Sequence, residues 1–72
     1  MKDAEAVEIL RAEGHFVAEP DEYTGRVRVW IPGSDEGIDV EIGGELQALA
    51  EGSLTFDEIL LRREEEAAVR GR

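Results

Sequence analysis

Between Arg26 and Ile42 the chain alternates twice with a period of two: Arg26-Val27-Arg28-Val29-Trp30-Ile31, then, beyond Pro32-Gly33, Ile38-Asp39-Val40-Glu41-Ile42. That period belongs to strands that bury one face and leave the other wet. Two such strands joined through a Pro-Gly pair, which suits the central positions of a type II turn, form a hairpin. With Ile31 set opposite Ile38, Val29 meets Val40 and Val27 meets Ile42, so six β-branched side chains share one face. The remaining chain must cover that face. On the other face the same register sets Arg28 across from Glu41.

Helical periodicity supplies the cover. Asp3 to Glu13 reads as a helix with Val7 and Leu10 inward, Ala6 beside them, Asp3 as its cap and Gly14 as its stop. Asp3, Glu5 and Glu8 near its start and Arg11 near its end suit the helix dipole. Glu45 to Glu51, after the Gly43-Gly44 break, reads as a two-turn helix with Leu46, Leu49 and Ala50 inward and Gly52 at its end. Thr55 and Glu58 match a capping box, with Leu54 and Ile59 as a hydrophobic staple, and start a third helix that turns Phe56, Ile59, Leu60 and Leu61 to the core.

His15 to Glu19 suits a short strand, ended by Pro20, and Pro20 to Gly25 forms a polar connection. The order is αβββαα: an α+β fold in which a three-stranded antiparallel sheet has one face covered by helices. Residues 1–72 make a single small domain. Beyond Arg63 the apolar face thins to Ala67, Ala68 and Val69, so residues 64–72 are expected to project or fray. Glu58, Arg62, Glu66 and Arg70 recur every four residues with alternating sign and are expected to brace this end as i,i+4 pairs.

A core this small yields only about 3–5 kcal/mol unless a disulfide, a metal or a partner adds to it. The chain has no cysteine, which rules out disulfides and thiolate zinc sites. Its first ten residues are charged and amphipathic, unlike a secretory signal, and no run approaches the length of a membrane span. A cytoplasmic protein is expected. The formal net charge of −10 disfavours phosphates and anionic lipids, so neither direct nucleic acid binding nor membrane binding is expected. Arginine exceeds lysine seven to one in a chain rich in Ala, Gly, Val and Glu, the usage of GC-rich codons and of a bacterial or phage source.

Residue types that carry chemistry do not converge in the sequence. His15 is the one histidine, with no ligand-spaced companion, and reads as a packed or strand-edge residue. Ser34-Asp35-Glu36-Gly37 with Asp39 lacks the regular spacing and distal Glu of a calcium loop. Glu64-Glu65-Glu66 reads as a solvated helix face. Thr24, Ser34, Ser53, Thr55 and Lys2 sit in loop, cap or terminal positions, away from any base that would activate them. Gly43-Gly44-Glu45 lacks the pattern of a phosphate loop, and its Glu would repel an anion. No catalytic residue, no metal ligand and no cofactor is expected, and the chain does not read as an enzyme.

What remains is a surface. Alternation puts the single tryptophan, Trp30, on the face opposite the aliphatics, with Arg26, Arg28, Asp39 and Glu41. Tryptophan and arginine are favoured at interface centres. Two readings stay open: a contact patch for a partner or a second copy, and a Trp30 laid against the C-terminal helix or the Pro20 to Gly25 loop with Arg28 stacked on it. The chain reads as a small acidic protein-binding module, a regulator or inhibitor whose partner is another protein with a basic surface. The alternatives are a nucleic-acid-mimicking inhibitor of a DNA- or RNA-binding protein, or an accessory subunit of a larger assembly, homo-oligomers included.

Overall fold

The computed structural model describes residues 2–71. In chain order the elements are α1 (Asp3–Ala12), β1 (Phe16–Val17), β2 (Arg26–Trp30), β3 (Gly37–Glu41), α2 (Gly44–Glu51) and α3 (Phe56–Arg70). The strands form one antiparallel sheet in the order β1-β2-β3, so the αβββαα arrangement read from the pattern is the observed one. Val17, Val27, Val29, Ile38 and Val40 point from the inner face into a core that Ala6, Leu10, Leu46, Leu49, Leu54 and Ile59 complete from the helices and the turn before α3.

The hairpin register differs from the expected one. Val29 pairs with Ile38 and Val27 with Val40, while Arg28 lies across from Asp39, not Glu41, and Arg26 across from Glu41. The ladder is displaced by two residues, and an even slip leaves every side chain on its intended face. Gly37 accounts for the choice. It stands opposite Trp30, and a β-carbon there would come 2.7 Å from Cγ and Cδ of Arg28 and 2.8 Å from Cε2 of Trp30. Both side chains lie over the glycine, filling space that any other residue would occupy. Ile31 and Ile42 fall outside the ladder and pack half-buried against the core. The Pro-Gly turn forms within the longer connection of residues 31–36: the Ser34 N–H donates to the Ile31 carbonyl at 3.0 Å, with Gly33 at φ +79°.

β1 is shorter than the expected His15 to Glu19, because Pro20 has no N–H to give the ladder. Phe16 pairs with Trp30 and Val17 with Val29, a register that would set Pro20 opposite Arg26. Instead Asp21 bridges to Arg26, leaving one extra residue on this side, as in a bulge. On the outer side of β1, Arg11 Nη2 donates to the Val17 carbonyl at 2.9 Å, occupying an acceptor that could template another strand.

Asp3 does not cap α1. The cap position is Lys2, which makes no side-chain cap bond. Asp3 Oδ1 instead accepts from the Gly43 N–H at 3.0 Å and from Gln47 Nε2 at 3.1 Å, tying the start of α1 to the junction of β3 and α2. Asp3→Ala removes an ionised acceptor from both donors and is expected to cost about 1.5–3 kcal/mol in urea unfolding, with Asp3→Asn costing less.

α3 starts as its sequence signals predict: the Glu58 N–H donates to Thr55 Oγ1 at 3.2 Å, and Leu54 and Ile59 are both buried. The ladder along α3 is not formed as expected. Arg62 reaches Glu45 on α2, and Glu66 meets Arg26 at 3.2 Å and Arg63 at 3.5 Å. Exposed i,i+4 pairs contribute only tenths of a kcal/mol, too little to hold these side chains against partly buried partners elsewhere. Residues 64–70 remain helical, with Ala67, Ala68 and Val69 exposed, and Arg72 lies outside the described residues.

Candidate protein-binding surface

Helices cover one face of the sheet, and the other carries Phe16, Trp30, Arg28 and Asp39. Pairing of β1 with β2 sets Phe16 beside Trp30, and their rings meet edge to face, with centroids 5.1 Å apart and planes at 77°. Phe16 is 68% exposed, a large apolar surface to leave in water on so small a domain, while Trp30 is half-buried. Arg28 Nε donates to Asp39 Oδ1 at 3.0 Å. Hydrogen bonding to Asp39, and then its charge, raise the Arg28 pKa further above its ordinary value.

The five residues expected to form the surface are therefore divided. Trp30, Arg28 and Asp39 come together around Gly37. Arg26 is drawn to Glu66 on α3, and Glu41, exposed at the end of β3, uses its N–H on Glu45 Oε1 at 3.0 Å. Phe16 belongs to the surface and was not singled out in the sequence. Alternation could have found it, since an inward Val17 requires an outward Phe16.

A second polar constellation was equally hidden. Glu45 is buried, 5% exposed, and accepts from the Glu41 N–H, from Arg62 Nη1 at 3.1 Å and from Arg63 Nη2 at 2.8 Å. Nε and Nη1 of Arg63 are buried there without a hydrogen-bond partner. The cluster joins the end of β3 and the start of α2 to α3.

His15 is packed: its Nδ1–H donates to the Trp30 carbonyl at 3.0 Å, and its ring lies 4.9 Å from that of Phe56. Hydroxyls are engaged locally, with Ser34 Oγ accepting from the Glu36 N–H, Ser53 donating to the Ala48 carbonyl and Thr55 capping α3. Among the described residues no group of three His, Asp or Glu side chains is placed to hold a metal ion. No described helix is long and apolar enough to cross a membrane.

The chain matches no protein-family model, no curated protein and no solved structure. Its function is read from this surface alone.

Proposed function

We propose that this protein is a small acidic protein-binding module, a regulator or inhibitor that acts by contact with another protein, and that the sheet face around Trp30 and Phe16 is its contact surface. The observation that carries the reading is the aromatic pair, exposed at Phe16 and half-buried at Trp30. Phe16 stays in water beside Trp30, where no helix residue lines the adjoining groove, on the same sheet face as a hydrogen-bonded arginine–carboxylate pair. Aromatic side chains bring large apolar area with little rotamer entropy to lose, and arginine adds directional bonds at the edge of such a contact.

The test is partner capture from the source cells with wild-type protein, Phe16→Ser and Leu61→Ser, the last an exposed apolar residue on α3. Phe16→Ser is expected to abolish capture of whatever the wild type retains, with an unchanged unfolding midpoint, and Leu61→Ser to leave it intact. Retention of the same partner by Phe16→Ser would refute the assignment of this face.

A further inference from the structure

Resting on that reading, the groove beside the aromatic pair narrows the chemistry of the partner. Phe16, Trp30 and Pro32 line a shallow groove of about 310 Å³ that reaches from Gly14 to Asp35. Its lining is mixed, with the Phe16, Trp30, Ile31 and Pro32 side chains beside Ser34, and Asp35 is the one charged residue in it. From Val29 to Leu61 the sequence contains eight carboxylates and no lysine, arginine or histidine. Asp35 stands on the rim with Glu36 next to it, and both are exposed. The cation adjoining Trp30 on β2, Arg28, is held by Asp39.

We infer that this groove takes an arginine side chain from an extended segment of the partner protein, its stem along Phe16, its guanidinium stacked on Trp30 and bonded to the Asp35 carboxylate. Guanidinium is planar, weakly hydrated and able to stack on an aromatic face while its N–H groups meet a carboxylate; an ammonium is more strongly hydrated and does not stack. Beside the groove the molecule sets one arginine near this indole, with the Arg28 stem and Trp30 sharing the space over Gly37 and the Arg28 guanidinium bonded to the Asp39 carboxylate. An acidic or phosphate-bearing occupant would meet the Asp35 carboxylate and no cation among the residues that line the groove.

Because the chain has one tryptophan, fluorescence reads the groove directly. The probes are blocked alanine-based peptides bearing arginine, lysine or glutamate at the same positions, titrated at about 0.15 M salt to screen nonspecific attraction. The arginine peptide is expected to shift Trp30 emission saturably, the lysine peptide more weakly and the glutamate peptide not at all. Asp35→Asn should weaken the arginine peptide about threefold, as an exposed ion pair allows, and Phe16→Ser about tenfold. Equal binding of all three peptides, an unchanged affinity in Asp35→Asn, or no emission change with arginine would each overturn the inference. If arginine peptides fail while Phe16→Ser still abolishes partner capture, the arginine inference falls and the surface remains. Capture that survives Phe16→Ser removes the surface itself.

Discussion

Glu45→Ala is expected to leave this protein largely unfolded at 25 °C. The carboxylate is 5% exposed and is the shared acceptor for Arg62, Arg63 and the Glu41 N–H. Taking it away leaves the Arg63 guanidinium, whose side chain is 16% exposed and already has two nitrogens without partners, with only the longer 3.5 Å contact to Glu66. Removing one member of a buried pair costs about 3–5 kcal/mol, mostly the penalty of the charge left behind. A domain this short has about that much stability in total. Urea or thermal unfolding followed by circular dichroism measures the loss. Arg62→Ala removes a half-exposed partner from the same carboxylate and should cost under about 1 kcal/mol. The double variant Glu45→Leu with Arg63→Leu separates charge from packing: it should recover most of what Glu45→Ala loses, since an apolar pair has no stranded ion. A Glu45→Ala protein as stable as wild type would show that water reaches Arg63 and that the cluster is not dry.

Ile59→Ala is expected to be nearly as damaging, at about 2–5 kcal/mol. Ile59 is the one fully buried side chain of α3, and Phe56 and Leu60 reach the core only in part. Helices gain most of their stability from the face they bury, so a cavity here removes the chief attachment of α3. Arg63 and Glu66 lie farther along that helix, and their pairs with Glu45 and Arg26 loosen with it. Hydrogen exchange should show the α3 amides losing protection and the urea midpoint should fall. Leu61→Ala, next in the chain but 58% exposed, should stay within about 0.5 kcal/mol of wild type. Equal effects at the two positions would mean that α3 is held by its ion pairs.

Much of the fold was legible before any coordinates. Alternation placed Val27, Val29, Ile38 and Val40 inward, a capping box and staple located the start of α3, and Gly52 ends α2 in the left-handed conformation expected of it. These signals are local, because each depends on a residue and its neighbours within a turn or two of chain. The hairpin register was not legible. A slip of two residues preserves the inside and outside of both strands, and the choice depended on how the Arg28 and Trp30 side chains fill the space over Gly37.

Of the candidate surface, the sequence by itself determined that Trp30 and Arg28 stand opposite the aliphatic face, because strand alternation admits nothing else. It also determined the charge any partner must meet. Tertiary structure alone decided who joins whom: Phe16 beside Trp30, Arg28 on Asp39, Arg26 drawn off to Glu66, Asp3 on Gly43 and Gln47, and Glu45 buried under Arg63. Long charged side chains have several carboxylates within reach along the chain and gain little from any exposed one. Their partners are settled where folding removes water, and that depends on distances between residues far apart in sequence.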